Sequence, residues 1–450
     1  MPPGQRLFLH QLNMIFSRAN IVTFSTSVAI QGCGLITGIL TARLLGPTAR
    51  GEFATVMLWP MILSNLGMLG FNWALAREVG MDCGKEADWV CAAVASGFAV
   101  SLLSLAIGFL LVPYLLPSDR QYLVSLTRAC LLLIPLDVVN QILLAVDHGR
   151  MRWRRYNFMR ASFFIFYAFL ICAIWAERKT TVAWFVWAFL IAHLIAVVIR
   201  LGMQAGSFFT GKLRIAECVR LLRSGLPFFW ATASNLLTLQ LDKVLVVGLM
   251  NTQAVGIYAV ALAFGNAQSS LGEALGITSF AVLSNEKSSD SQGTILSETF
   301  RQATLSSAGF GLLLAAIVPF LIQPLFGVEF SEAARPAVIL TFAAALTTSS
   351  SILNQGLRGA GRPYPGIASQ LLGTGVLALA AALLLPRFGL MGMAWAVVLS
   401  GCCQLLVLVI AAAALFRVSL SSFWPFGTRD IRVFLQNVMA LRIRYSRSPA

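Results

Sequence analysis

The sequence predicts an all-α polytopic membrane protein. It should have about twelve transmembrane helices in two six-helix bundles, related by a pseudo-two-fold axis along the membrane normal. Three observations lead there. Of 450 residues, 58% are hydrophobic and only 11% charged, whereas a soluble protein carries about 25% charged residues. Apolar runs long enough to cross a hydrocarbon core of about 30 Å recur from end to end. And one polar break between two such runs is written twice, as LLGPTARGEFA at 44–54 and LMNTQAVGIYA at 249–259. With Gly51 on Gly256, Leu44 falls on Leu249, Ala49 on Ala254 and Phe53 on Tyr258.

In order, the expected spans are 20–42, 53–75, 89–112, 123–145, 161–176, 182–204, 226–249, 256–282, 303–325, 336–357, 366–385 and 390–416. The first is longer than a signal-peptide core and is followed by no small-residue cleavage pattern, so it reads as a permanent span. The fifth is short as written and is expected to begin earlier. A transmembrane barrel would alternate over segments of about ten residues, and no such alternation occurs.

Lys and Arg collect on the cytoplasmic side of membrane proteins. With the amino terminus inside, the inner segments hold 24 of them and the outer segments 7. Both termini are therefore expected in the cytoplasm. Arg200 counts among the inner charges, Arg43 and Arg120 among the outer ones. Residues 44–52 and 249–255 become external turns, where Gly46, Pro47 and Gly51 suit a tight reversal.

The repeat offset is 205 residues. A second echo, AVDHGR at 145–150 with LRGAGR at 357–362, gives 212. Both offsets cover six spans, so the halves enter the membrane in the same direction, as parallel repeats do. The expected organisation is a bundle at 1–204, a basic cytoplasmic connector at 205–225, a second bundle at 226–416 and a basic cytoplasmic tail at 417–450. In the tail, Ile431, Phe434, Leu435, Val438 and Met439 share one helical face, as in a helix lying on anionic lipid.

Several function classes drop out. A net charge of +15 is parcelled between spans rather than gathered in one domain, which argues against nucleic acid. Eight cysteines without a C-x-x-C pair or a neighbouring His cluster give neither a disulfide framework nor a metal site. GSFFTGKL at 206–213 approaches a phosphate-binding loop, but Leu213 stands where a Ser or Thr must hold magnesium. No cofactor is expected. External segments of about ten residues leave no room for a catalytic domain, so the chain reads as a transporter rather than an enzyme.

Ionisable groups inside a span cost roughly 2.5–3.5 kcal/mol at a helix centre. Here they are Arg128, Asp137, His193, Asp242, Lys243 and Glu273, with Arg43, Arg77 and Arg358 at span ends. Lys243 lies about 9 Å below the outer end of its helix and either meets an anionic substrate or pairs with a neighbouring helix. Asp242 points about 100° away and needs its own partner. Arg77, close to Asn72, is a candidate receiver for an anionic substrate or an orientation anchor. Asp137 follows Pro135 and precedes Asn140 and Gln141, a small polar face that could hold a proton, a polar substrate group or a neighbouring helix. Glu273 has the same readings, and His193 reads as an interhelical contact or a proton relay.

LLGPTARGEFA, SGLPFFW at 224–230, LDKVLVVG at 241–248 and GIYAVAL at 256–262 together resemble the polysaccharide-transporter family. That family comprises flippases for lipid-linked oligosaccharides of O-antigen and exopolysaccharide pathways, relatives of multidrug/toxin-extrusion transporters and of the lipid II flippase. The resemblance implies two bundles around a partly hydrophilic cavity and location in a bacterial plasma membrane. It also implies a polyprenyl-diphosphate oligosaccharide carried from the inner to the outer leaflet. Lipid II flippases typically carry two further spans, which this sequence lacks. The expected substrate cavity then draws on Asn72, Arg77, Asp137, Asp242, Lys243, Glu273 and Arg358, with membrane lipids around it and H+ or Na+ as a coupling ion. The alternative is an ion-coupled exporter of drugs or metabolites of the same superfamily, with the buried carboxylates as cation sites.

Overall fold

The computed structural model describes residues 18–81, 83–285 and 289–424; within them the side chains of 269–278 and a few other helical positions are left undescribed. The expected tail helix beyond residue 424 and the Glu273 side chain therefore lie outside the described residues. Among the described residues the chain is helical throughout, with no strand.

The helices are α1 (Arg18–Gly67), α2 (Phe71–Met81), α3 (Glu86–Leu115), α4 (Val124–Cys130), α5 (Leu133–Gly149), α6 (Trp153–Ala176), α7 (Val182–Thr210) and α8 (Ile215–Leu249). They continue as α9 (Thr252–Asn285), α10 (Ser289–Phe326), α11 (Ala334–Gly359), α12 (Tyr364–Phe388) and α13 (Leu390–Phe416). The first two expected spans form one run, broken at Gly46 by a backbone at φ 69°, ψ 177°. Only glycine adopts that conformation without a Cβ penalty. The second span is interrupted at Gly67, and the helix resumes at Phe71 after a three-residue turn through Gly70. The fifth begins at Trp153, earlier than its apolar run, as expected.

Nine helical stretches of the described residues are long and apolar enough to cross a membrane; the first, Ser25–Met81, contains two of the expected spans. The chain is a multi-pass membrane protein. α8 and α9, the seventh and eighth expected spans, are not among the nine. α8 carries Ser234, Asn235, Thr238, Gln240, Asp242 and Lys243 in its membrane half, a polarity that hydrocarbon tolerates only where protein or a wet cavity faces it. Large side chains such as Leu103, Leu110, Phe169, Phe320 and Leu379 stand exposed on the outer faces, as a lipid-solvated surface requires.

Two compact units result. Of the described residues, one unit holds 18–260 with Gln323–Ser331; the other holds those of 261–322 and 332–424. In the first, α3, α2 and α7 pack on α5, α6 packs on α1, and α8 joins α1, α2 and α3. In the second, α13 packs on both α11 and α12.

The internal repeat is visible in the helix ends. α5 closes at Gly149 and α11 at Gly359, with left-handed residues following at Met151 and Gly361. Short 3-10 turns sit at Ser118–Leu123 and Val328–Ala333. All these pairs are offset by 210 residues, and the buried and exposed positions of 101–150 recur nearly one for one at 311–360. The second echo therefore pairs Gly149 with Gly359 rather than with Gly361. Glycine identity alone pulled that alignment out by two residues.

Candidate functional site

The two turns of the repeat, 44–52 and 249–255, meet each other within the first unit. A methyl group built on Gly51 would overlap the Thr252 carbonyl, and one on Gly256 would overlap the Pro47 carbonyl. The duplicated glycine is thus a crossing point, where two backbones come closer than any side chain permits. Beside it, Arg120 in the first 3-10 turn is 1% exposed. Its guanidinium donates to the Val247 carbonyl at 2.8 Å and to the Met250 carbonyl, at the end of α8. Arg43 caps the last turn of α10 in the same manner, through the Leu325 carbonyl at 2.7 Å and that of Pro324. Cations suit helix carboxyl ends because the last carbonyls lack intrahelical donors.

Toward the opposite, arginine-rich end, α2 and α5 turn polar faces to open space. On α2, Phe71, Ala74, Leu75 and Val79 are buried at helical spacing. Asn72, Trp73, Ala76 and Arg77 remain for the other side. On α5, Ile134, Val138 and Ile142 are buried, leaving Asp137, Gln141 and His148 on another face. A cavity of about 250 Å³ opens between them, lined by Asn65, Asn72, Trp73, Asp137, Gln141 and Thr232. Asp137 accepts a hydrogen bond from Ser64 Oγ at 2.6 Å and a long one from Gln141 Nε2 at 3.5 Å. The structure thus brings Asn72 and Asp137 together in one polar basin.

A second cavity, of about 370 Å³, shares Trp73 with the first and is lined by Arg77, His148, Trp153 and Phe228. Arg77 is exposed and makes no hydrogen bond or ion pair among the described residues. Its neighbours differ. Arg150 and Arg152 bind Glu86 at 2.7 and 3.2 Å, Arg155 binds Asp147 at 3.2 Å and Arg220 binds Glu78 at 2.7 Å. Glu78, Glu86 and Asp147 are therefore engaged by other arginines, and Arg77 is left to face the cavity.

Asp242 and Lys243 separate as adjacent helical residues must. Asp242 is 7% exposed and accepts from Tyr258 Oη at 2.8 Å, tying α8 to α9. Lys243 folds back on its own helix, donating to the Leu239 carbonyl and to Gln240 Oε1, both at 2.9 Å. Three turns separate it from Thr232, which puts the two on one face of α8 within about 20°. Thr232 lines the polar basin, so Lys243 continues that face further along the helix. Arg358 closes α11 in the second unit, half-buried and without an ion pair among the described residues. His193 is buried between Phe163 and Phe189, with Nδ1 3.1 Å from the Phe189 carbonyl, its polar need met by its own helix. Arg128 lies over the Phe109 ring at 4.2 Å.

Sequence reading missed two features. Arg200, counted as an inner surface charge, is 3% exposed and donates to the Asn140 carbonyl at 2.7 Å and to the Met159 carbonyl, locking α7 onto α5 and α6. The signal was available in IRLGMQ, where Arg200 and Gln204 are one turn apart; Gln204 caps Leu143 at 2.8 Å beside it. The second is the aromatic lining of the lower cavity, assembled from four helices. Among the described residues no cluster of His, Cys, Asp and Glu could hold a metal ion.

A model of the polysaccharide biosynthesis protein family matches residues 17–272. The chain belongs to that family. No curated protein matches it. Among solved structures, the lipid II flippase MurJ in an inward closed conformation aligns at TM-score 0.74 and 11% identity, over 96% of this chain and 93% of that one. An inward-facing multidrug resistance MATE transporter of the MOP superfamily aligns at TM-score 0.68 and 14% identity, over 90% and 99%. The eukaryotic MATE transporter AtDTX14 aligns at TM-score 0.61 and 15% identity, over 93% and 99%. At such identities the likeness is one of fold. The polysaccharide biosynthesis family member therefore shares the MurJ and MATE architecture.

Proposed function

We propose that the protein is a flippase that moves a polyprenyl-diphosphate-linked oligosaccharide from the inner to the outer leaflet of a bacterial plasma membrane by alternating access, for surface polysaccharide biosynthesis. In this reading both termini are cytoplasmic and the arginine-rich end faces the cytoplasm. The observation that carries it is the pairing of a polar basin, Asn65, Asn72, Asp137, Gln141 and Thr232, with a partner-free Arg77 one helical turn below Trp73. A sugar head cannot enter hydrocarbon bare, because each hydroxyl would lose its water without replacement. Amides and a carboxylate supply replacements, and a guanidinium matches a phosphate in charge and geometry. Lys243, on the basin's face of α8, offers the anion a second cation nearer the outer side. The crossing of Gly51 and Gly256 closes that side and must part for release. Asp137, held by Ser64 and Gln141, is the group suited to take up a coupling H+ or Na+.

The test is complementation of a bacterium lacking its own flippase. Wild-type protein should restore surface polysaccharide, while Arg77→Ala and Asn72→Ala at equal membrane abundance should each restore less than about a tenth. Each removes a charge-assisted or buried polar contact, a loss of roughly 1.5–3 kcal/mol. Restored drug resistance without surface polysaccharide would replace this reading by the multidrug exporter.

A further inference from the structure

The lower cavity holds a cluster that the transport reading alone leaves unexplained. His148 sits at the centre of three aromatic rings: Trp73 at 6.0 Å, Trp153 at 5.8 Å and Tyr156 at 5.4 Å between ring centroids. Trp153 and Tyr156 meet edge to face at 6.0 Å. The rings come from α2, α5 and α6, and Phe228 of α8 completes the wall. Trp73 is 49% exposed, so a large part of its indole is open to a ligand.

Three chemical classes compete for such a bowl. A cation would be drawn to aromatic faces, but Arg77 lines the same cavity and the nearby carboxylates Glu86 and Asp147 are already bound to Arg150, Arg152 and Arg155. No carboxylate lines this cavity among the described residues, and the Arg77 charge disfavours a cation there. A plain acyl chain would gain from the rings but would leave the Arg77 guanidinium facing hydrocarbon, which is costly. A pyranose fits both requirements. One face of the ring presents C–H groups that stack on indole, and its rim presents hydroxyls. Trp73 stands where the two demands meet, since it lines the aromatic cavity and also the basin with Asn72 and Gln141.

We propose that Trp73 and Trp153 form a carbohydrate-stacking platform at the arginine-rich mouth of the first unit, which takes the lipid-proximal sugar while Arg77 takes the attached phosphate. This deepens the flippase reading and rests on it. Trp73 and Trp153 then make the protein prefer a glycosylated carrier over the bare one, a selection step before translocation.

The experiment measures binding to the purified full-length protein in lipid nanodiscs. The probes are undecaprenyl diphosphate and undecaprenyl-diphosphate-N-acetylglucosamine. Wild type should bind the glycosylated probe about tenfold more tightly than the bare one. In Trp73→Leu and Trp153→Leu, which keep apolar bulk without the π face, the ratio should fall to near one. Arg77→Ala should weaken both probes and keep the ratio. Trp73→Phe, which restores a ring, should recover most of the preference and shows that loss in Trp73→Leu is not misfolding. Binding of both probes with an unchanged ratio in both Leu variants overturns the platform and leaves the flippase reading standing. Failure of wild type to bind either probe overturns both.

Discussion

The first half of the repeat and the second share a scaffold and differ in what they place on it. At offset 210, Arg120 corresponds to Phe330, and each is 1% exposed. One slot holds a guanidinium bound to two carbonyls at the end of α8; the other holds a ring in edge contact with Phe326 at 6.4 Å. On the equivalent helices, Asp137, Gln141 and His148 of α5 correspond to Thr347, Ser351 and Arg358 of α11. The first set lines cavities. Thr347 and Ser351 of the second belong to a hydroxyl run in which Ser349 Oγ accepts from Thr304 Oγ1 at 3.2 Å. Gln268 nearby donates to Ser307 at 2.9 Å, so this polarity is spent on packing. Duplication preserved the burial pattern, which helix packing dictates, and left side-chain chemistry free to diverge. The lesson is that a buried position prescribes a volume, and only its neighbours prescribe a charge.

Exchanging residues between equivalent slots breaks that comparison in a graded way. The largest effect is expected for Phe330→Arg. The slot has evolved around a ring, and an arginine buried there without carbonyl partners costs roughly 3–5 kcal/mol. Detergent-solubilised protein should lose its monodisperse peak in size-exclusion chromatography. Arg120→Phe comes next. It strands the Val247 and Met250 carbonyls, a loss of roughly 1–3 kcal/mol, and should lower Tm by a few degrees in a thermal-shift measurement while the protein remains monodisperse. Equal stability of the two variants would mean that the slots are interchangeable.

How much of this was readable beforehand depends on what each feature needs. The helical class needs only composition and run length, and these are local. The first echo was in register because Gly51 and Gly256 touch, so each constrains the other's identity. The second slipped because the left-handed position after the helix is Met151 in one copy and Gly361 in the other. Asn72 and Asp137 could be named from their placement inside apolar runs, but their meeting in one basin required the packing of α2 on α5. Arg120 and Arg200 were hidden for a different reason. A surface arginine and a helix-capping one look alike in sequence, and only the carbonyls that converge on the guanidinium tell them apart. Trp73, His148, Trp153 and Tyr156 lie on three helices, and no periodicity links them.

The subtlest exchange concerns the pair Asp137 and Thr347. If the first half carries the chemistry, Asp137→Thr should reduce surface polysaccharide in the complementation assay by tenfold or more, because the basin loses its only carboxylate among the described lining residues. Thr347 donates to the Ala344 carbonyl of its own helix at 3.1 Å. Such back-bonding is nearly neutral for stability, and Thr347→Val keeps the branched shape. Its transport should stay within about twofold of wild type, at unchanged abundance. The discriminating outcome is the reverse order: a severe defect in Thr347→Val with a mild one in Asp137→Thr would move the working surface to the second half, and Arg358, at the foot of the same helix, would then replace Arg77 as the phosphate ligand to test.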